Sequence, residues 1–297
     1  MRIAVLSRKR TLYSTRRLIE EIKKKGHDAL VLNPLNCDII IADGRQNINY
    51  KRKKMPEIDS IIPRIGTSIT RYGTSVLRQL VFMGIPSVSS PIGIAIARDK
   101  FRSLQVLTHS GINVPKSILV RNPVNIEKAI KRVGGVPVLI KLLRGTQGIG
   151  VIYIDSLQAA SSTLETLWSM GKQLLIQEFI YESRGTDIRS FVVDDKVVAS
   201  YRRIAKSGEF RSNMHKGAIG EPIELTDEQR NIVINSVKAL NLGVAGVDML
   251  KSSEGMKVLE VNASPGLKGI EKFSDCNVAE AVVDYAVRIA KKRTNLD

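Results

Sequence analysis

The sequence predicts an α/β unit followed by a region of α+β character, and two observations lead to this prediction. The first part alternates short apolar runs with helical patterns, beginning with RIAVLS at 2–7 and the amphipathic stretch STRRLIEEIKKKG at 14–26. The later part contains apolar runs separated by tight turns, such as DIRSFVV and KVVASYRR around Asp194 and Asp195. Alternating strands and helices are typical of a parallel sheet, whereas closely spaced paired runs indicate antiparallel hairpins.

The length of the chain favours more than one structural unit. A single hydrophobic core stops growing at about 250 to 300 residues, and this chain has 297 residues. We expect an N-terminal α/β domain over 1–95, a second unit over 96–180 with a central helix and a glycine loop, and a third unit over 181–297.

In the first unit, the helix over 14–26 places Leu18, Ile19 and Ile22 on one face and ends at Gly26. Apolar runs near 29–32, 38–41 and 60–65 predict further strands of the parallel sheet, and a helix is predicted over 72–83. No G-x-G-x-x-G motif follows the first strand, so this unit is not predicted to bind NAD.

The later elements mix helices with strands. Strands are predicted after Pro115, on both sides of a glycine loop near 145–150, over LLIQEFI at 174–180, and as the pair VAGVDML and MKVLEVN around SSEG. Helices are predicted from about residue 95 to Gly111, over 125–134, over 156–170, from Thr226 with acidic residues in its first turn, and over 278–292.

Charge is the first clue to function. The chain has 46 Lys and Arg against 29 Asp and Glu, a net charge of +17, and the first hundred residues contain 19 basic and 8 acidic residues. Such an excess favours acidic partners, among them an acidic protein, a polyphosphate or RNA, although a solvated basic surface explains it equally well. Direct nucleic-acid binding is not expected, because few aromatic residues accompany the basic clusters.

The cysteine pattern and the chain start exclude other classes. Cys37 and Cys276 lie far apart and have no neighbours at metal spacing, so neither a disulfide framework nor a zinc site is predicted. The apolar run in the opening MRIAVLSRKR is too short for a signal peptide or a membrane span. We therefore expect a cytoplasmic protein without membrane association.

Lys141 and the glycines that follow it form the first candidate site. The lysine ends an apolar run and precedes Gly145, Gly148 and Gly150. Glycines allow backbone N–H groups to approach an anion, and the ammonium group adds a point charge for the same phosphates. The spacing is not that of a P-loop, and a glycine-rich hairpin turn is the alternative interpretation.

Asp248, Glu260 and Asn262 form the second candidate site. Their carboxylate and amide oxygens are the hard ligands that Mg²⁺ prefers. Glu260 and Asn262 lie two residues apart on a predicted strand and therefore share a face, and Asp248 can pair across from them. A structural ion pair is the alternative, because a carboxylate inside an apolar strand needs a cation or an arginine nearby.

Two further segments carry polar groups. Glu178 and Phe179 end an apolar run and are candidates for contact with an adenine edge, although a strand end explains them as well. The stretch YRRIAKSGEFRSNMHKGA at 201–218 is rich in cations and suits a loop over a polyanion, with an ordinary surface loop as the alternative. His215 alone is more often structural or solvated than catalytic.

Taken together in chain order, these motifs resemble the ATP-grasp superfamily and, within it, the RimK family. The resemblance extends over essentially the whole chain through RIAVLSR, IPRIGTSITRYG, ARDKFRSLQVL, KLLRGTQGIGV, IQEFI, DIRSFVV, FRSNMHKG, AGVDML and LEVNASPGLKGIE. It implies an ATP-grasp fold behind an N-terminal Rossmann-like pre-ATP-grasp domain. It also implies a ligase that adds glutamate to the C-terminus of a ribosomal small-subunit protein, and a homo-oligomer.

The resemblance further implies roles for individual residues. The metal ligands would be Asp248, Glu260 and Asn262, holding two Mg²⁺ or Mn²⁺ ions beside the co-substrate ATP. Residues implied to bind the nucleotide are Lys100, Lys141, Gly145, Gly148, Gln177, Glu178, Phe179, Ile180, Asp187, Arg211, Ser212 and Asn213. Arg211 and Arg203 are the predicted catalytic residues, which would stabilise the transferred phosphoryl group and the tetrahedral intermediate.

Two alternatives remain open at this point. The same core motifs would serve an ATP-grasp ligase acting on a small molecule or a carrier protein, as in lysine biosynthesis or cofactor glutamylation. A non-enzymatic basic RNA-binding protein is supported by the net charge alone and is disfavoured by the oxygen-ligand triad.

Overall fold

The computed structural model describes residues 1–121, 125–143, 150–205 and 219–294. Its strands are β1 (Arg2–Leu6), β2 (Asp28–Leu32), β3 (Cys37–Ala42), β4 (Arg45–Tyr50), β5 (Lys53–Lys54), β6 (Ser60–Pro63), β7 (Ser117–Val120), β8 (Val138–Leu142), β9 (Val151–Ile154), β10 (Leu174–Glu178), β11 (Thr186–Val193), β12 (Lys196–Ile204), β13 (Ile219–Pro222), β14 (Val244–Ser252) and β15 (Gly255–Asn262).

The α-helices are interspersed with these strands along the chain. They are α1 (Tyr13–Lys24), α2 (Thr70–Phe82), α3 (Pro91–Arg98), α4 (Lys100–His109), α5 (Ile126–Arg132), α6 (Leu157–Ser169), α7 (Asp227–Ala239), α8 (Leu267–Ser274) and α9 (Val278–Thr294). Within the described part of the chain, no helix has both the length and the apolar character that a membrane crossing requires.

The predicted parallel sheet is confirmed in the order β2-β1-β6. β1 forms its centre because its residues after Arg2 are buried on both faces. The apolar face of α1, with Leu18, Ile19 and Ile22 buried, lies beside it, and the chain leaves this helix through Gly26 at a φ of 76°. This positive φ is accessible to glycine without strain.

The predicted strand at 38–41 exists, but its assignment to the parallel sheet is wrong. It belongs to β3, which pairs with β4 in a separate antiparallel sheet of order β3-β4-β5. The physical reason is the turn at Asp43 and Gly44, whose φ angles of 52° and 69° return the chain directly as a hairpin. A parallel neighbour would have required a crossover connection instead.

The predicted hairpins β11–β12 and β14–β15 are confirmed, and both lie in the sheet β13-β12-β11-β14-β15. The helix predicted from about residue 95 to Gly111 is confirmed as α4, but it begins later than expected and the separate helix α3 was missed, because Asp99 interrupts the two. Asp99 is extended, with φ −99° and ψ 105°, and its side chain accepts a hydrogen bond from the backbone N–H of Arg102. It therefore starts a second helix as an N-cap. Sequence analysis also missed α8 and β13.

The strands β7-β10-β8-β9 form a fourth sheet that, with α5 and α6, makes a unit we call the inserted lobe, residues 117–178. This lobe has a hydrophobic core of its own, with Ile130, Ile140 and Ile176 fully buried in it. The rest of the described chain, which we call the main body, shares its cores between the N-terminal sheet and the later strands, as where Ile3 of β1 and Phe191 of β11 lie in one cluster.

The chain enters and leaves the inserted lobe at neighbouring points. The backbone N–H of Glu178, at the end of β10, donates to the carbonyl of Lys116, just before β7, at 2.9 Å. The lobe is thus connected to the main body through two adjacent chain segments.

Candidate active site

Lys141 and Gln177 meet on one face of the inserted lobe. Lys141 on β8 lies opposite Leu175 on β10, so Gln177 is its diagonal neighbour. The Lys141 ammonium donates a hydrogen bond to Oε1 of Gln177, whose Nε2 donates to Oγ of Ser117 at 2.8 Å. Two residues predicted from separate motifs are therefore brought together, and Lys141 is held in a defined orientation.

Lys100 approaches the same place from the main body. It is the first residue of α4, and its Nζ donates to the carbonyl of Leu142 at 3.4 Å. Burial and then the positive charge of Lys100 lower the pKa of Lys141 from 10.5 to about 8, with Glu260 opposing the shift. Two ammonium groups held together away from water are unfavourable alone, so this arrangement suits a polyanionic ligand.

Asp248 lies in a buried ion-pair cluster. Arg189 donates from Nε to Oδ1 of Asp248 at 2.7 Å and from Nη2 to Oδ2 at 2.6 Å, and Nη2 of Arg203 lies 2.8 Å from the same Oδ2. Burial alone would raise the pKa of Asp248, but the two guanidinium groups outweigh it and lower the pKa to about 2. The ion-pair alternative considered for Asp248 is therefore observed.

Asp187 and Arg203 complete this cluster. Nε of Arg203 donates to Oδ1 of Asp187 at 2.6 Å, and its Nη2 contacts the other carboxylate oxygen. Both side chains are almost fully buried, at 3% exposure for Arg203 and 5% for Asp187. In this structure the Asp187 carboxylate, predicted to lie beside a ribose, binds an arginine on a neighbouring strand, and Arg203 holds two carboxylates.

Glu260 is an exposed carboxylate of the site. It lies directly opposite Asp248, and a β-bulge between Asp248 and Met249 shifts the register next to it. Bulges of this kind redirect side chains beside functional sites. The Glu260 side chain is exposed, and among the described residues it makes no hydrogen bond or ion pair. Its charge nevertheless acts on Lys141 and on Lys100.

The oxygen atoms of Asp248, Glu260 and Asn262 meet only part of what a divalent metal ion requires. Oδ1 of Asn262 accepts a hydrogen bond from the backbone N–H of Ser264 at 3.0 Å, which leaves one lone pair of this oxygen for a ligand. In the described ranges, no group of three or more His, Cys, Asp or Glu could hold a metal ion. A metal site here would depend on Glu260 as its main anionic donor, with Asn262 and Asp248 supporting it.

The segment after β10 joins the lobe to the main body. Oε1 of Glu178 accepts from the backbone N–H of Lys116 and from Nζ of Lys257, both at 2.7 Å. Phe179 packs edge-on against Tyr153 and against Tyr181, with ring centroids 5.0 and 5.3 Å apart. The Glu178 side chain is thus a link between the two parts, and the following rings form a small aromatic group beside Ile180, which is buried.

Five predicted site residues lie outside the described residues. They are Gly145, Gly148, Arg211, Ser212 and Asn213. Their assignment to phosphate binding and catalysis stays a prediction.

Sequence analysis assigned no role to several charged residues that the structure brings to the site. Arg189 is two residues from Asp187 on β11, so the period of a strand could have placed both on one face. Arg64 directly follows β6, Arg98 is the last residue of α3, and Lys257 is a buried cation in β15. No local pattern announces these three residues, because their neighbours at the site are distant in sequence.

Comparison with known families agrees with this geometry. Residues 1–94 match the family model described as the RimK PreATP-grasp domain, and residues 97–286 match the RimK-like ATP-grasp domain. The chain belongs to the RimK family. Membership confirms the predicted ATP-grasp fold and makes this RimK-family chain an ATP-dependent ligase that joins a carboxylate to an amine.

Curated relatives cover nearly the whole RimK-family chain. The probable alpha-L-glutamate ligase 2 of Shewanella amazonensis is 45% identical over 296 residues, covering 99% of this chain and 98% of that protein. The probable alpha-L-glutamate ligase of Vibrio atlanticus is 46% identical over 295 residues, covering 99% and 98%.

Solved structures show the same fold at low sequence identity. The ATP-grasp ligase PsnB, complexed with a minimal precursor, has a TM-score of 0.77 at 19% identity and covers 97% of this chain and 98% of its own. The D-alanine–D-alanine ligase of Bacillus anthracis, complexed with ATP, has a TM-score of 0.68 at 21% identity and covers 100% of both chains.

Proposed function

We propose that this RimK-family ligase adds glutamate to the C-terminal carboxylate of a ribosomal small-subunit protein through an acyl phosphate. The observation that carries the proposal is the meeting of Lys100 and Lys141 with Glu260, which provides cations for phosphates beside an exposed carboxylate for a metal ion. Support for glutamate comes from relatives named probable alpha-L-glutamate ligases at about 45% identity.

The reaction would proceed in two steps. A carboxylate oxygen of the acceptor attacks the γ-phosphorus of ATP, the bond to the bridging oxygen breaks, and ADP leaves. The amine of glutamate then attacks the carbonyl carbon of the acyl phosphate, loses a proton, and inorganic phosphate leaves with the electron pair of the carbon–oxygen bond. Both steps bring anions together, so positioned cations are the main requirement.

The described residues would contribute mainly through charge and position. Lys141, fixed by Gln177, and Lys100 would bind phosphate oxygens. Arg203 is engaged with Asp187 and Asp248, so we propose that it positions Asp248, and Arg211 remains the proposed contact to the transferred phosphoryl group.

Glu260, Asn262 and Asp248 would hold the metal ions, which we propose to be two Mg²⁺ or Mn²⁺. Bound ions would supply neutralisation of the charge on the phosphates. Gln177, Glu178, Phe179 and Ile180 would border the nucleotide base at the junction of lobe and main body.

The proposed acceptor has consequences for location and assembly. A ribosomal acceptor would place the enzyme in the cytoplasm, and its acidic tail would suit a protein of net charge +17. A homo-oligomer is also proposed, on the family resemblance alone.

Mass spectrometry tests the proposal directly. Purified enzyme, ATP, Mg²⁺ and L-glutamate are incubated with ribosomal small-subunit proteins, and we expect one acceptor to gain successive glutamate residues. Glu260→Gln should abolish this gain, whereas Glu224→Gln, an exposed site on the main body, should not. Mass gain on a small molecule or a carrier protein, with none on ribosomal proteins, would establish the alternative acceptor class. A Glu260→Gln enzyme with normal turnover at saturating Mg²⁺ would refute the metal assignment.

A further inference from the structure

Arg64 and Arg98 form a cationic pair at one end of the parallel sheet. Arg64 directly follows β6, and its backbone N–H donates to the carbonyl of Leu6 at the end of β1 at 2.9 Å. Arg98 ends α3 and donates from Nη2 to the carbonyl of Ile65 at 2.6 Å and from Nη1 to Oγ1 of Thr67 at 3.2 Å. Arg64 thus adjoins in the chain the segment that Arg98 binds, and the charge of Arg98 acts on the Arg64 guanidinium group.

Neither arginine has an acidic partner in the described part of the chain. Nε of Arg98 is buried and has no hydrogen-bond partner, and the Arg64 side chain makes no hydrogen bond or ion pair with any described residue. Burial and the charge of Arg98 lower the pKa of Arg64 to about 10. By contrast, Arg189 and Arg203 each bind carboxylates.

The charge around the pair is strongly unbalanced. Glu260 is the carboxylate whose charge acts on Arg98, and it also acts on Lys100 and Lys141. One carboxylate thus faces several cations. In the proposed reaction the phosphates account for the two lysines, which leaves the arginine pair without an assigned anion.

A short chain of hydrogen bonds connects the pair to the metal-site residues. Oδ1 of Asn262 accepts from the N–H of Ser264, and Oγ of Ser264 donates at 3.3 Å to the carbonyl of Ile65, which Arg98 also binds. The arginines therefore lie next to the loop that follows β15. A substrate group held there would lie beside the reacting atoms.

We infer that Arg64 and Arg98 bind a non-reacting carboxylate of a substrate, either one of the two carboxylates of the incoming glutamate or the side-chain carboxylate of a glutamate that already ends the acceptor. A guanidinium group matches a carboxylate through two parallel hydrogen bonds. The identity of the ligand rests on the proposed function, because only that reaction brings non-reacting carboxylates to this place. Partly buried guanidinium groups that form no ion pair with a described carboxylate are the feature that such a substrate would satisfy.

Calorimetry tests this inference on the whole enzyme saturated with ADP and Mg²⁺. One arm titrates L-glutamate and the other a peptide that ends in two glutamates, with wild type, Arg64→Gln, Arg98→Gln and the control Arg78→Gln, which is exposed on α2. We expect both site variants to bind one of the two ligands at least tenfold more weakly, about the loss of one charged hydrogen bond. The control should bind both ligands as wild type does, and ADP affinity should change less than twofold.

The two titrations show which substrate supplies the carboxylate, and they separate failure of this inference from failure of the proposed function. A loss confined to glutamate assigns the pair to the amine substrate, and a loss confined to the peptide assigns it to the acceptor. The inference is overturned if the wild-type enzyme binds neither ligand or if the site variants bind both ligands normally. It is also overturned if the affinity of the site variants for ADP falls by as much as their affinity for glutamate or the peptide. Arginine-dependent binding without any ligated product would instead refute the proposed function.

A stability measurement separates binding from scaffolding. Arg64 makes no side-chain bond to the described protein, so Arg64→Gln should melt at or above the wild-type temperature while it loses affinity. A lower melting temperature with normal affinity would show that Arg64 is structural. Arg98→Lys provides the second variant, because it keeps the positive charge but cannot form the paired contact.

Discussion

The lowered pKa of Lys141 should make ATP binding depend on pH. The pKa of this ammonium is about 8 in the free protein, and a bound triphosphate should raise it, because a nearby negative charge favours the charged form. Affinity is then fully present below the free pKa and is lost as pH rises through it. At pH 7.5 about a quarter of Lys141 would be neutral, and at pH 9 about nine-tenths. We therefore expect ATP affinity to fall about eightfold between these values, or about 1.3 kcal/mol.

The assay is calorimetric titration of ATP in EDTA, so that protonation of metal ligands does not contribute. Lys141→Arg is the matched control, since guanidinium stays charged over this range and its affinity should change less than threefold. Proton uptake on binding, measured at pH 8.5 in two buffers of different ionisation enthalpy, should be present in wild type and reduced in the variant. Wild-type affinity that stays flat from pH 7.5 to 9.5, with a clear loss in Lys141→Ala, would show that Lys141 binds ATP with an ordinary pKa.

Three further predictions concern stability and processivity. Arg203→Gln leaves buried carboxylates without their partner and should lower the free energy of unfolding by about 3 to 5 kcal/mol in urea, whereas Arg202→Gln on the exposed face should change it by less than about 0.5. Gly93→Ala should also destabilise, because a Cβ there would lie 2.3 Å from the backbone oxygen one residue beyond α7, while Gly66→Ala meets open space. Each added glutamate makes the acceptor more negative, so the basic N-terminal residues should retain the product electrostatically and favour repeated addition. Charge reversal of residues 51–54 should therefore shorten the glutamate chains, and product lengths that respond neither to this change nor to salt would exclude such retention.

Local chemistry predicted the elements whose causes lie within a few residues. The helix α7 begins as expected after Thr226, where a capping box with Gln229 is present. The hairpin β14–β15 places Asp248 opposite Glu260, as strand pairing suggested. The turn at Asp43 was missed, although Asp-Gly is a strong hairpin signal, because the apolar run before it resembles a parallel strand.

The remaining features depend on contacts between distant parts of the chain. Arg98 binds the carbonyl of Ile65, 33 residues away, and Lys257 binds Glu178, 79 residues away. Neither spacing produces a periodic signal, and the resemblance to a family named no role for these residues. The partners of Asp248 could not be chosen from sequence either, because arginine and a metal ion satisfy a buried carboxylate equally well.

The inserted lobe is connected to the main body through two adjacent segments, a connection about which the lobe would rotate as one unit. Its own core stays intact if it rotates, and a crossing contact that such a rotation would disturb is the ion pair of Glu178 with Lys257, which Glu254 also joins at 2.8 Å. Lys141 travels with the lobe, whereas Lys100 stays on the main body. A polyphosphate that binds both lysines would therefore hold the inserted lobe against the main body. Ligand binding and assembly of the site would then occur together.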